Sequence, residues 1–444
     1  MPNKSPASMG PVKVVVLGLG TVGCGTLNVL SRNHDEITRR AGRSIEVVKA
    51  SARDLGKSRP IDQATIELTD DSLAVVNDPQ IDIVVELIGG TEPARELVLK
   101  ALENGKHVVT ANKALIALHG NEVFEAARKA GVTVAFEAAV AGGIPVIKTL
   151  REALAGNSIS WLAGIINGTC NFMLTAMKDR GAGFNEILAE AQALGYAEAD
   201  PSFDVDGVDA AHKLTILAAI AFGIPLQFEA VSIEGIRGLA IEDVNHAAAF
   251  GYVIKHLAIA ANTGDKIELR VHPTLVPERH MLANVNGVMN AVLIEGDAVG
   301  PMMLSGAGAG AEPTASSVVA DLVDVVRALT VDPDNRVPHL AFQPDALTST
   351  SIASMDDIFS AYYLRMRVSD RPGVLAHVTR ILGSHQISIE AISQREAADS
   401  EKTVPLVIMT HEVAESAMNA ACSEMQNLDE VLDDIVRYRV AGWS

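Results

Sequence analysis

Uninterrupted apolar runs alternate with amphipathic segments over the first 150 residues. The runs are VKVVVLG at 12–18, IEVVKASA at 45–52, IDIVVELIG at 81–89, HVVTAN at 107–112 and VTVAFEAAV at 132–140. Runs this short and this apolar predict strands buried on both faces, as in parallel sheets covered by helices. The intervals carry helical periodicity. EPARELVLKALENG, for instance, ends on Gly105, a residue type that closes helices. Strand and helix in alternation predict a doubly wound α/β domain over residues 1–150.

From 151 to 305 the pattern is mixed. Helical segments FNEILAEAQALG and DAAHKLTILAAIAFG alternate with strand candidates SISWLAGIIN, IELRVHPTLV and AVLIEG, which predicts an α+β domain. PTASSVVADLVDVVRAL predicts a strong helix, and residues 306–330 are expected to return to the first domain. Pro333, Pro338 and Pro344, with the run LTSTSIAS, mark 331–358 as a linker or irregular segment. Over 359–444 the order is strand, helix, strand, strand, helix, strand. YYLRMRVS opens it, with Leu364, Met366 and Val368 alternating against Tyr363, Arg365 and Arg367. That order predicts a ferredoxin-like βαββαβ module. Truncation before Ser360 is expected to leave catalysis largely intact.

Composition narrows the function classes. A chain of 444 residues is room for roughly three domains. Net charge is −19, with no Lys/Arg-rich stripe, which excludes nucleic acid or an anionic membrane as the main partner. Three distant cysteines, Cys24, Cys170 and Cys422, show no metal-ligand spacing and fit a reduced, cytoplasmic setting. The uncharged stretch Ala153–Met177 holds Asn157, Ser158, Ser160, Asn167, Thr169 and Asn171 and is not read as a membrane span. The opening MPNKSPASMG is polar and is not read as a signal peptide.

The chemistry-bearing motifs sit at strand ends. GLGTVG places Gly18, Gly20 and Gly23 in G-x-G-x-x-G spacing between a buried strand and a helix, the context of a dinucleotide-binding turn. At the end of the second strand KASARDLGK carries Arg53 and Lys57 where an NAD reader has an acid. Arginine there favours the 2′-phosphate of NADP, although Asp54 beside it keeps NAD open. Lys113 follows the strand HVVT, at a carboxyl end where open α/β sheets bind ligands. GYAEADPSFDVDGVDAAHK brings Glu198, Asp200, Asp204, Asp206 and Asp209 ahead of Lys213, and Lys213 heads a long apolar run. Asp209 and Lys213 share a helix face, so the lysine enters the core paired. EAAVAGGIP offers either carbonyls for a hard monovalent cation or a tight loop. The second Gly-rich loop, LSGAGAGAEPTAS, precedes a helix and allows another close backbone approach to a ligand.

Taken together these motifs, with INGTCNF and DRPGVLA, resemble the homoserine dehydrogenases that carry a C-terminal ACT domain. The resemblance covers nearly the whole chain. It implies a Rossmann-type domain, a catalytic and dimerisation domain, and an ACT regulatory domain. It also implies an NAD(P)-dependent oxidoreductase interconverting L-aspartate 4-semialdehyde and L-homoserine, on the branch to threonine, methionine and isoleucine. Lys213 falls on the family's proton donor, and Glu198, Asp209 and Asp204 fall among its substrate-binding acids. Thr21, Val22, Lys113, Gly195 and Gly310, with the glycines and Arg53 and Lys57 above, fall at the nucleotide. Glu137, Val140, Gly142 and Ile144 fall on a sodium site, and a homodimer or homotetramer is implied. Asp370, Gly373 and Gln394 of the ACT module are expected to receive an amino-acid effector, threonine. Two alternatives stay open. One is a thiol-dependent semialdehyde dehydrogenase with Cys170 as nucleophile, and the other is a non-catalytic nucleotide and amino-acid sensor.

Overall fold

The structure is a computed structural model that describes residues 10–61, 66–394 and 403–442. The chain begins β1 (Val12–Leu17), α1 (Thr21–Arg32), α2 (His34–Ala41), β2 (Ile45–Ser51), β3 (Glu67–Thr69), α3 (Ser72–Asn77), β4 (Ile83–Glu86), α4 (Ala94–Glu103), β5 (His107–Thr110), α5 (Lys113–Ala130) and β6 (Val134–Ala135). It continues α6 (Val146–Lys148), β7 (Ile159–Ile165), α7 (Gly168–Arg180), α8 (Phe184–Ala193), α9 (Ser202–Val205), α10 (Val208–Phe222), β8 (Ser232–Ile233), α11 (Ile241–Ala249), β9 (Tyr252–Asn262), β10 (Lys266–Pro277), β11 (Met289–Gly296), β12 (Gly300–Ala307) and α12 (Ala311–Ala328). It closes β13 (Ser351–Ile352), β14 (Phe359–Ser369), α13 (Val374–Ser384), β15 (Ile389–Gln394), β16 (Thr403–Thr410), β17 (Val413–Ala414), α14 (Glu415–Gln426) and β18 (Val436–Val440).

Packing divides these elements into two compact units. The first runs to Gly168 and adds 209–231 and 288–350; the second holds 169–208, 232–287 and the chain from Ser351. This division cuts through 151–305, because strands far apart in sequence pair: Ile165 of β7 stands opposite Ala291 of β11.

In the first unit six parallel strands run in the order β3-β2-β1-β4-β5-β6. Their core joins Val14, Val16, Ile83 and Val109 to Leu27 and Leu30 of α1 and to Val318, Leu322 and Val325 of α12. Each such side chain contributes roughly 1.5–3 kcal/mol by burial. Residues 331–350 stay with this unit and are irregular, with 3-10 turns at Pro333–Asn335 and Pro344–Ala346. β7, β11 and β12 form an antiparallel strip.

The strand expected over 132–140 shrinks to Val134–Ala135. Side chains from elsewhere take its backbone. Glu137 N–H donates to Asp321 Oδ2 (2.8 Å), and the Glu137 carboxylate accepts from the N–H groups of Ile147 (2.9 Å) and Lys148 (2.7 Å). The chain therefore turns into a 3-10 helix at Glu137–Ala139.

Two imidazoles hold the start of β6. His107 Nδ1 accepts Thr133 N–H and His339 Nε2 accepts Val134 N–H, each at 3.1 Å. Burial lowers both pKa values to about 4. The unfolded chain then binds more protons between the unperturbed value near 6.5 and the folded value near 4. Stability is complete above that window and is lost as pH falls through it, by up to about 1.4 kcal/mol per unit for each histidine. Denaturation midpoints measured from pH 7 to 4 are expected to fall in this window, less steeply in His339→Gln. A slope identical in variant and wild type contradicts the assignment.

In the second unit β9 and β10 pair antiparallel. The C-terminal module has the expected βαββαβ order, with its sheet arranged β18-β14-β16-β15. Its own core includes Leu364, Met366, Val378, Leu382, Ile408 and Met418. It is not a separable appendage. β18 adds to β10 in parallel, Thr274 opposite Arg439. Tyr363, Val407, Met409 and Val440 share a second core with Met173, Leu174, Ile254 and Leu275. Truncation before Ser360 would open that core. Among the described residues no helix is long and apolar enough to cross a membrane.

Candidate active site

The nucleotide turn is built from backbone. Gly18 adopts φ +97°, and a Cβ there would stand 2.6 Å from Leu87 O. A Cβ on Gly23 would overlap the carbonyl oxygen of Gly18, so helix and turn close together only with glycine at that position. Gly20 differs. A Cβ there meets nothing within 4 Å, and Gly20 caps α1 with no side-chain bond. The first N–H groups of α1, at Thr21 and Val22, have no acceptor within the helix, as the N-terminus of any α-helix leaves them, and the cap at Gly20 supplies no side chain.

Arg53 and Lys57 are exposed in the loop after β2. A third base organises that loop and was not singled out from the sequence. Arg59 donates to three carbonyls, Leu19 O (3.2 Å), Asp54 O (2.6 Å) and Lys57 O (2.9 Å). The only signal in the sequence is one more basic residue in RDLGKSR; its reach back to the glycine turn is tertiary. Glu86 at the end of β4 was also missed. It is fully buried and accepts from Thr110 Oγ1 (2.7 Å) and Ile88 N–H (2.7 Å); burial raises its pKa against those bonds.

The lysine pair lies on the same unit. Asn112 caps α5, its side chain accepting from Leu115 N–H (3.1 Å), and Lys113 is the first helical residue. Asp209 and Lys213 stand one turn apart on α10, both buried. Asp209 Oδ2 accepts from Lys213 Nζ (2.7 Å) and Asn167 Nδ2 (2.8 Å), while Oδ1 meets Lys113 Nζ at 2.8 Å. Lys213 Nζ also donates to Ile166 O (2.6 Å). Burial pushes the Asp209 carboxyl up, but the charges of Lys213 and Lys113 outweigh it and hold the group well below the usual range. One ionised carboxylate therefore orients two ammonium groups. The sequence foresaw Asp209 with Lys213; it did not bring Lys113, Asn167 or Ile166 to the same carboxylate.

The remaining candidates fall elsewhere. Gly195 (φ +74°) and Glu198 are exposed after α8, and Asp204 lies in α9, its carbonyl accepting Cys170 Sγ at 3.3 Å; all belong to the second unit. In the Glu137 loop, Gly142 O accepts from Ser317 Oγ (2.7 Å) and Ile144 O from Val146 N–H (2.8 Å); Val140 N–H donates to Glu137 O (3.4 Å). The Glu137 carboxyl is pushed up to about 7 by burial. Among the described residues no three metal-ligating side chains cluster. Gly310 caps α12 at φ +124°. Asp370 and Gly373 lead into α13, where Gly373 caps without a side-chain bond, and Gln394 ends β15; all three are exposed.

Known proteins share this layout. Family models match at residues 18–137 (homoserine dehydrogenase, NAD binding domain), 145–323 (homoserine dehydrogenase) and 362–428 (ACT domain). A homoserine dehydrogenase of Pseudomonas aeruginosa is 61% identical over 433 residues, 97% of this chain and 99% of its own. The chain belongs to the homoserine dehydrogenase family. The crystal structure of a homoserine dehydrogenase from Thiobacillus denitrificans superposes with a TM-score of 0.93 at 59% identity, covering 98% of this chain and 99% of that one. A hyperthermophilic archaeal homoserine dehydrogenase, solved in complex with NADPH, matches with a TM-score of 0.60 at 26% identity over 71% of this chain and 97% of its own. The protein is thus an NAD(P)-dependent oxidoreductase of the aspartate pathway, with NAD-binding, catalytic and ACT domains. The thiol-dependent and sensor alternatives give way to that activity, and Cys170 is fully buried.

Proposed function

We propose that this homoserine dehydrogenase uses Lys213 as the proton donor to the oxyanion formed when L-aspartate 4-semialdehyde is reduced. The observation that carries it is the buried Asp209 carboxylate holding Lys213 and Lys113 together. A bound nicotinamide nucleotide supplies the hydride. Lys213 Nζ donates to Asp209 Oδ2 and Ile166 O, which fixes the position of the ammonium. In this reading the ammonium donates to the developing alkoxide and stabilises its charge. In the reverse direction the neutral amine takes the proton from homoserine. Asp209 orients Lys213; Lys113 adds positive charge beside it. Glu198 and Asp204 are assigned to the substrate's ammonium group. An assay of homoserine formed per nucleotide oxidised, with and without phosphate, tests the reaction itself.

NADP(H) is the preferred cofactor in this reading, because Arg53 and Lys57 are exposed in the loop that Arg59 pins to the glycine turn. Arg53→Glu is expected to weaken NADPH binding about tenfold or more while sparing NADH, through loss of a charge-assisted contact to the 2′-phosphate. Dissociation constants for both nucleotides measure it; equal losses for the two, or a wild type that prefers NADH, contradict the assignment.

Sodium fits the Glu137 loop as a ligand of carbonyl oxygens at Val140, Gly142 and Ile144, since a carbonyl with one hydrogen bond keeps a second lone pair. The working form is a homodimer or homotetramer, which light scattering of the full chain tests. Threonine is the effector assigned to Asp370, Gly373 and Gln394, where the α13 N-terminus offers N–H groups to a carboxylate. Because the ACT module shares a core with the rest of its unit, the test keeps the full chain. Calorimetric binding of threonine is expected in the wild type and lost in Asp370→Ala; no binding at millimolar concentration refutes the assignment.

A further inference from the structure

Asn290 sits in β11 at 1% exposure, one position before the buried Ala291, Val292, Leu293 and Ile294. Its Oδ1 is buried with no hydrogen-bond partner. A buried acceptor without a partner is destabilising, so a carboxamide kept at this position needs a reason other than stability.

The reason lies in what the carboxamide touches. A Cβ built on Gly308 would overlap the Asn290 carboxamide, and one built on Gly168 would stand 3.5 Å from its Oδ1. The flat group is wedged between two segments. On one side is the turn Ile166–Gly168, which gives Ile166 O to Lys213 and Asn167 Nδ2 to Asp209. On the other is the loop Ala307–Gly310, which ends at the cap of α12. That loop is fixed from behind: Ala307 O accepts Gly143 N–H (3.0 Å), and Gly308 O lies 2.5 Å from where a Cβ on Gly142 would be. With the loop backed at Ala307 and Gly308, the thickness of the Asn290 carboxamide sets the gap between the two segments.

We infer that Asn290 is a positioning residue, a spacer that fixes the turn anchoring Lys213 at a set distance from the Ala307–Gly310 loop. The inference rests on the reading of Lys213 as proton donor and of Gly310 as a nucleotide contact. It follows that substitution at Asn290 displaces donor from acceptor without removing any group that binds nucleotide. A displacement on the order of 1 Å costs up to about a hundredfold in rate.

A double-substitution cycle tests it. Asn290→Ala empties the wedge and is expected to lower kcat by roughly ten- to a hundredfold. NADPH affinity should stay constant, and the isotope effect with nucleotide deuterated at the transferred position should be larger, because hydride transfer then limits the rate. Gly308→Ala alone places a methyl against the carboxamide and is expected to be at least as damaging. In Asn290→Ala/Gly308→Ala the methyl fills the vacated space, and kcat is expected to recover roughly tenfold over Gly308→Ala. Losses that multiply across the cycle, a double variant that fails to fold, or an Asn290→Ala enzyme with wild-type kcat and isotope effect each overturn the inference. Failure of the underlying Lys213 reading has a separate signature, undiminished turnover of Lys213→Ala.

Discussion

Lys213→Ala is expected to turn over about 10²–10⁴-fold more slowly than the wild type, the range for loss of a general acid, with nucleotide affinity unchanged. The size of the effect follows from the site. Lys213 is buried, and its ammonium is held by Asp209 and Ile166 O at 2.7 and 2.6 Å, which fixes where the donor stands. Lys113 meets the other oxygen of Asp209. Alanine therefore removes a group that acts on the transition state and leaves the glycine turn of β1–α1 untouched, so kcat and kcat/KM should fall together. Asp209→Asn should also lower kcat, since it leaves two ammonium groups facing each other without a charge between them. A Lys213→Ala enzyme with near-normal kcat would make the lysine a structural anchor only.

Arg365→Ala is expected to destabilise the second unit by about 3–5 kcal/mol, the cost of leaving a buried charge without its partner. Asp243 on α11 is fully buried. Arg365 of β14 meets both of its oxygens, at 2.5 and 3.1 Å, and Tyr363 Oη donates to it at 3.0 Å. Removing the guanidinium leaves the carboxylate with a phenol and the Ala240 N–H at 3.4 Å. Asp243→Asn/Arg365→Met, which removes both charges, should recover most of the loss, because a buried pair is replaced at little cost when both members go. Chemical denaturation of the wild type and the two variants measures this. A single variant within 1 kcal/mol of wild type (about the ceiling for an exposed pair) would mean the pair is solvated and the ACT module only loosely attached.

Much of this was legible in the sequence because it is local or periodic. The parallel strands announce themselves as apolar runs such as VKVVVLG, and the ACT module by its alternation Leu364, Met366, Val368 and its element order. The glycine turn needs only the spacing of Gly18, Gly20 and Gly23, and the Asp209–Lys213 pair only one helical turn. What was not legible depends on partners distant in sequence. β6 stops early because Asp321 takes the N–H of Glu137, 184 positions away. Lys113 reaches Asp209 only once α5 and α10 have folded. Arg59 reads as a loop charge until its three carbonyls are seen. Nothing in the ACT module's own pattern reports the pairing of β18 with β10 or the bond from Arg365 to Asp243.

The most direct test of the central claim is chemical rescue. Lys213→Ala is assayed for homoserine formed from L-aspartate 4-semialdehyde and NADPH, with increasing concentrations of a small primary alkylammonium ion. The lost group is an ammonium donor in a confined site, so the predicted result is a rate that starts far below wild type and rises with the concentration of added ammonium. Nucleotide affinity should stay constant throughout. A variant that, without any added amine, keeps the wild-type rate and the wild-type dependence on pH would contradict the assignment of Lys213 as the proton donor.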